Sequence, residues 1–354
     1  MRYTISNKYE GGTQLIGTRL KLIRQAQALS LQDLSDLLAE SELPIKRAAL
    51  SHYEMGVTVP NGAALEILGR KLGVSAEFFL RPDWENIAFH LFYEPDFSQK
   101  QATTFFSYLQ IELEKLVRVD DLLQICQPFV PPARTKIPRG KEAAVEEIAR
   151  NIRQAYGLGS APISSVSTIL ENNRWRLIEY PGDIPFCSGY ESSRDLGFII
   201  YPSLFTIDDF RAALLKALGY AFFCGEDAAH TQQLAEHFSR AMLLPPEAAE
   251  QEFGRERENI YIAELTLVKQ KYGISKRSII FRLAELGIVT QEYCSAFEDL
   301  MRLHGYPQRK RILDEQLLFF ENPTQAANRI LQAQSRGLLS QEHADELLLL
   351  KHML

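Results

Sequence analysis

The sequence predicts a mainly α-helical protein with a small central sheet, an α+β chain, on three observations. Apolar residues recur every three to four positions through the first 80 residues, and again from about residue 253 onward. Between Trp175 and Tyr201 the period shortens to that of strands, in short runs divided by a turn. The length, 354 residues, asks for two or three domains at roughly 100–200 residues each. With 46% hydrophobic and 24% charged residues the composition is that of a globular chain. The net charge of −6 (39 basic minus 45 acidic) gives no general affinity for nucleic acid, so such binding needs a local basic surface. Cys126, Cys187, Cys224 and Cys294 are far apart and form no CxxC pair, which argues against a cysteine zinc site or a redox motif. Met1–Gln14 is polar and unlike a signal peptide, and no apolar run approaches the ~20 residues that span a bilayer. The expectation is a cytoplasmic protein with reduced thiols and no membrane partner.

Residues 1–81 read as the first domain. Leu15, Ile16, Leu20, Ile23 and Leu29 have the spacing of one helix. Ser30 stands as an N-cap before a second helix, with Leu31, Leu34, Leu37 and Leu38 on its buried side. Pro44 introduces a third segment, IKRAALSHYE, packing through Ala49, Leu50 and Tyr53 and stopped by Gly56. Pro60 and Asn61 precede a fourth helix ending at Gly73, and VSAEFFL opens a short fifth. Five short helices with a turn between the second and third is a helix-turn-helix layout. These residues, LSLQDLSDLLA, IKRAALSHYEMG and VPNGAALEILGRKLGVS above all, resemble the Xre/lambda-repressor-like family. The turn Glu40–Pro44 is several residues longer than the family's tight turn. A recognition helix offers its N-terminal side chains to base edges in the major groove. Lys46, Arg47, Ala48, Ser51 and His52 are the candidate DNA-binding residues, away from Leu50 and Tyr53. Arg47 could take a guanine edge in a bidentate pair, and Lys46 and His52 could meet phosphate or base. Residues 1–80 hold nine basic and eight acidic side chains, a local charge of only +1. Binding would therefore lean on a few placed groups and on dimerisation. The competing reading is a solvated face on a protein–protein module.

Residues 82–141 read as a linker. A mixed stretch with Trp84, Phe89, Phe92, Tyr93 and Phe97 leads to Ser98, which caps a long amphipathic helix. Its stripe, Phe105, Tyr108, Leu109, Leu113, Leu116, Val117 and Leu123, suits either a partner helix or the next domain. QPFVPPARTKIPRGK ends that helix and marks a boundary.

Residues 142–290 read as the central domain. A helix over Glu142–Tyr156 and a shorter one over Ile163–Glu171 precede candidate strands at Trp175–Ile178, Phe186–Glu191 and Phe198–Tyr201. An apolar helix, FRAALLKALGYAFF, follows at Phe210–Phe223, capped by Asp208 or Asp209. Phe210-Arg211, Leu218-Gly219, Ala235, Phe238 and Leu243-Leu244-Pro245 resemble the ImmA/IrrE-like metallopeptidase family. The resemblance implies a zincin-like fold whose helix would carry HELGH. Histidines four apart share a helical face and can bind one zinc, and the glutamate between them takes a proton from the zinc-bound water. Here Lys216, Ala217 and Tyr220 stand at those positions, and Gln232 at that of the third ligand. The implied reading is a pseudopeptidase with no catalytic residue, no metal and no cofactor. Lys216, Tyr220 and Gln232 would line an effector pocket for a small molecule or a protein. His230 and His237, seven apart, read as surface histidines rather than joint ligands.

Residues 291–354 read as a helical C-terminal region, with the basic run Gln308–Arg311, the apolar run Leu317–Phe320, and a last helix capped by Ser340. Before it, ISKRSIIFRLAELGIV with Lys269, Lys271, Lys276, Arg277 and Arg282 forms a second helix-turn-helix-like, basic pattern. It reads as part of the fold, with a second DNA contact as the alternative. The expectation for the whole is a transcriptional regulator, a repressor in preference to an activator. It would bind a double-stranded DNA operator as a homodimer through its helix-turn-helix domain. The alternatives are a metallopeptidase that cleaves a repressor, and an antitoxin-type protein that binds a partner toxin.

Overall fold

The computed structural model describes residues 2–5, 12–81, 87–93, 96–125, 128–182, 184–203, 207–303, 321 and 323–349. Trp84, Cys126, Gln308–Arg311 and Leu317–Phe320, singled out above, lie outside these residues, as does the side chain of Asp208. The chain is mostly helical with a small mixed sheet, as the periodicity predicts.

The first helices are α1 (Gly12–Ala26), α2 (Leu31–Leu37), α3 (Arg47–Glu54) and α4 (Gly62–Leu72), closed by a 3-10 helix at Ala76–Leu80. Ser30 caps α2 in a reciprocal box with Asp33. Asn61 caps α4, and Gly73 ends it in the left-handed conformation that an L side chain resists. The long turn between α2 and α3 is held by its own bonds. Ser41 Oγ donates to the Leu38 and Leu43 carbonyls, Ser35 Oγ donates to Ile45 O, and Ile45 is buried.

Two strands then bracket this helical unit. β1 (Arg2–Ile5) pairs antiparallel with β2 (Ile87–Leu91), and β2 pairs antiparallel with β5 (Cys187–Glu191). β5 pairs with β6 (Leu196–Pro202), and β6 runs parallel to β4 (Trp175–Tyr180), giving the order β1-β2-β5-β6-β4. The segment read as a linker thus contributes a strand to the sheet. Its helix α5 (Gln99–Leu122), boxed by Ser98 and Gln101, packs intramolecularly against α1. A short parallel pair joins β3 (Thr135–Lys136) to β7 (Phe223–Cys224).

Every residue of β6 is buried, because both faces of the sheet are covered. Side chains alternate faces along a strand. Leu196, Phe198 and Ile200 join one core with α5 and the N-terminal helices, whose members include Leu20, Leu50, Leu68 and Phe106. Ile199 and Tyr201 join the other core with the remaining helices. At Gly197 a Cβ would stand 2.4 Å from the Phe129 ring, so only glycine lets that ring lie against the strand.

The second core gathers α6 (Ala144–Ala155), α7 (Val166–Asn172), α8 (Ile207–Phe222), α9 (Ala228–Leu243), α10 (Pro246–Phe253), α11 (Ile262–Tyr272), α12 (Lys276–Glu285) and part of α13 (Gln291–Leu303). A hairpin of α14 (Gln325–Ser335) and α15 (Gln341–Leu349) docks on the end of α5, burying Val119 and Leu123 with Ile330, Ala333, Leu339 and Leu347.

Candidate functional site

The five predicted DNA-binding residues run along α3, from Lys46 at its N-cap to His52 in its last turn. Leu50 is wholly buried and fixes the helix axis. Lys46, Arg47, Ala48 and His52 are exposed, and Ser51 is half-buried. Lys46 is the N-cap residue, with extended backbone; an ammonium cannot accept, so the first-turn amides of α3 have no side-chain cap. The first turn of α3 holds no acidic residue. Among the described residues, neither Lys46 nor Arg47 enters an ion pair. The helix N-terminus therefore shows cationic side chains and unspent backbone donors to solvent.

The other end of α3 is clamped by residues that sequence spacing does not reveal. Arg24 of α1 donates to both oxygens of Glu54, at 2.5 Å and 2.7 Å, and also to Leu29 O at 2.7 Å. Both side chains are nearly buried, 11% and 8% exposed. A Cβ on Gly17 would lie 2.3 Å from Tyr53 O, so glycine is what allows α1 and α3 to approach. Arg19, buried, donates to Glu114 of α5 at 2.7 Å and lies over the Phe78 ring. Together these contacts tie the α3 frame to α1 and to α5.

The three residues assigned to an effector pocket, Lys216 and Tyr220 on α8 and Gln232 on α9, gather around Glu236. Lys216 and Gln232 meet on the Glu236 carboxylate, at 2.8 Å and 3.1 Å. Burial raises the Glu236 carboxyl, and the Lys216 ammonium outweighs it, so its pKa falls below the usual value. Tyr220 is buried and stacks face to face on Tyr93, with ring centroids 4.4 Å apart. Burial, reinforced by Tyr93, pushes its phenol pKa up. Tyr93 comes from the segment after β2, and only this long-range stacking marks it out. None of the three residues lines either of the two cavities described below.

The histidines are not on the surface, which corrects the sequence reading. His230 is 1% exposed. Asp227 caps α9 by accepting from the His230 amide, and the ring turns beneath the preceding loop, where its Nδ1 accepts from the Glu226 amide at 3.2 Å. A Cβ on Gly225 would stand 2.8 Å from that ring. Among the described residues His230 Nε2 is left without a hydrogen bond, its nearest charged neighbour being Glu142 Oε1 at 3.5 Å. His237 bonds through Nε2 to Glu146 at 2.6 Å. His237 turns inward because α6 packs along α9, and His230 because the loop before α9 folds over its ring; helical spacing shows neither.

Glu146 is the hub of a charged network. It accepts from Arg282, itself wholly buried, through both guanidinium ends, one at 2.8 Å. Burial raises the carboxyl, but Arg282 and His237 outweigh it and hold Glu146 at about 2. Glu285 accepts from Arg240 at 2.6 Å beside it. A cavity of about 380 Å³ opens along this network, walled by Glu142, His237, Arg240 and Glu285. The basic pattern of 269–282 is largely used up within the fold. Lys269 and Arg282 are buried, Lys271 pairs with Glu252, and Arg277 pairs with Glu298. Among the described residues no group of three or more His, Cys, Asp or Glu stands close enough to hold a metal ion. Cys187 and Cys294 are buried and Cys224 is half-buried; all three are free thiols, and burial pushes Cys187 up to about 12. No described helix is long and apolar enough to cross a membrane. Comparisons of the chain with protein-family models, with curated proteins and with solved structures return no match.

Proposed function

We propose that this chain is a sequence-specific DNA-binding regulator of transcription, a repressor that acts as a homodimer on a double-stranded operator. The observation that carries the reading is α3, which presents Lys46, Arg47, Ala48 and His52 outward from a wholly buried Leu50. Such a helix can enter the major groove, where a bidentate arginine–guanine pair contributes about 1–3 kcal/mol of discrimination. Clamping of Glu54 by Arg24 supports it, since base readout needs a helix held in one orientation. The central region is read as a catalytically inactive body of peptidase-like descent, serving as sensor and dimerisation platform. Its support is that Lys216 and Gln232, at the positions where ligands would stand, pair with Glu236 instead. On this reading the protein is no enzyme and works in the cytoplasm.

The test is selection of bound DNA from a random pool, followed by footprinting of the selected site with the Arg47→Ala variant. The expected outcome is a loss of roughly five- to 150-fold in affinity, with relaxed preference at one base position. An unchanged footprint removes the base contact. Failure to select any sequence removes the function.

A further inference from the structure

We propose that the cavity between α6, the loop at 159–161 and the α9–α10 junction binds a small oxyanion, a carboxylate or phosphate group carried on a compact, partly apolar molecule. The cavity measures about 340 Å³, the size of a small metabolite site. Arg153, only 3% exposed, is among the residues that line it. Arg153 donates to three backbone carbonyls, Gly159 O at 2.7 Å, Ala161 O at 2.5 Å and Met242 O. An arginine has five N–H donors, so these bonds leave donors over. No carboxylate among the described residues pairs with it. Burial lowers its pKa to about 10, with Glu247 and Tyr272 only partly offsetting this. A buried cation without a counter-charge is costly, and the carbonyl at the end of α9 compensates only in part.

A second guanidinium reinforces the case. Arg150 precedes Arg153 by one turn of α6, so the two share a face. Arg150 is exposed, lines the same cavity, and also lacks an ion-pair partner among the described residues. Two like charges one turn apart repel each other, and an oxyanion between them removes the repulsion. Two carboxylates line the same cavity, and of these Glu146, half-buried, is already held by Arg282 and His237. Glu247 is exposed at the rim, where water and salt screen it. Ser160 adds a hydroxyl, while Ala241 and Pro245 make an apolar wall that suits the carbon body of the ligand. An arginine pair selects planar or tetrahedral oxyanions over chloride through its forked donors.

The test uses the full chain without DNA, so that its result is independent of the proposed operator binding. Thermal unfolding is followed in sodium acetate, in sodium phosphate and in sodium chloride at matched ionic strength. The expected result is a saturable rise in midpoint with acetate or phosphate that chloride does not reproduce, and the effective salt names the oxyanion. Arg150→Ala, an exposed substitution that keeps the unliganded midpoint, is expected to weaken the apparent affinity at least tenfold. Arg153→Lys, which keeps the charge but loses the fork, is expected to weaken it likewise. Because that variant also loses carbonyl bonds, Arg150→Ala decides the matter if it fails to fold. No rise with either oxyanion, a rise matched by chloride, or a rise retained in full by Arg150→Ala overturns the proposal.

Discussion

Glu54 and Glu146 are carboxylates of the same kind, each held by an arginine from a distant part of the chain, and each gives a measurable prediction. Glu54 accepts both bonds of Arg24 in a nearly dry setting. Truncation to Glu54→Ala leaves Arg24 buried and short of its partner, at a cost of about 3 kcal/mol. Urea unfolding of the full chain is expected to show that loss, whereas Lys46→Ala on the exposed face should stay within about 0.5 kcal/mol. Equal effects would mean that Glu54 does not hold α3. Glu146 gives a pH dependence instead. Its carboxyl sits at about 2 in the fold, because Arg282 and His237 overcome the burial that would raise it from the ordinary 4.5. A depressed folded-state pKa contributes stability above the unfolded-state value, and that stability is lost as pH falls through the folded-state value. The contribution, on the order of 2–3 kcal/mol, should therefore be full above about pH 5 and vanish toward pH 2. Glu146→Gln is expected to be the less stable protein at pH 7, with the gap to wild type closing across that window. A gap that is constant with pH would remove the charge from the account.

Elements divide into those held by local rules and those held by distant partners. Ser30, Ser98 and Asn61 begin helices where capping chemistry places them, and Gly73 ends one. The outward set of α3 was legible because Leu50 and Tyr53 fix its buried side within a single helical turn. The pairing of β2 with β5 was not legible: it joins Phe89 to Glu191, and nothing local selects that partner. His237 was misread for the same reason, since its partner Glu146 lies 91 positions away, whereas His230 is covered by the adjacent loop, whose fold helical spacing does not report. The effector assignment failed to foresee Tyr93, whose ring reaches Tyr220 from another region of the chain. The C-terminal hairpin depends most heavily on distant charges. Just before it, Glu321 is buried with Arg211 and accepts from the Val166 and Ser167 amides at 2.9 Å and 3.0 Å. Within it, Arg329 shares Asp120 with Arg176, and His343 meets Glu77 at 3.0 Å. Glu321→Ala removes the carboxylate shared by the buried Arg211 and the Val166 and Ser167 amides, and is expected to cost about 3–5 kcal/mol. Amide exchange over 325–349 should accelerate more in this variant than exchange over α3. Uniform acceleration across the chain would show that Glu321 stabilises the whole fold without anchoring the hairpin.

At the scale of the molecule, the question is whether the helical N-terminal unit is a separate body. Spacing and composition suggested a boundary near residue 81 and a linker beyond it. In the structure the supposed linker is the seam. Phe89 of β2 stacks on Phe106 of α5 at 5.4 Å and meets Phe198 of β6 edge-on at 6.2 Å. Tyr108 donates to Glu179 O of β4 at 2.6 Å, and Arg19 reaches from α1 to Glu114 of α5. One apolar cluster runs from Leu50 under α3 through Phe106 to Ile200 in the sheet. Two independent cores would melt separately, but a shared core makes loss of either half expose the apolar surface of the other. Calorimetry of the full chain is therefore expected to give a single transition with matching calorimetric and van't Hoff enthalpies. Phe106→Ala should lower the midpoint, at a cost of about 3–5 kcal/mol, without splitting the peak. Two resolved transitions, with the lower one alone sensitive to Phe106→Ala, would mean that the seam is a docking contact rather than a core. The distinction bears on the proposed regulation. A freely tethered reader would respond to a ligand through its linker, whereas a reader sharing its core with the sheet must respond by a shift of packed elements. In the second case α5 is the element through which such a shift reaches α3.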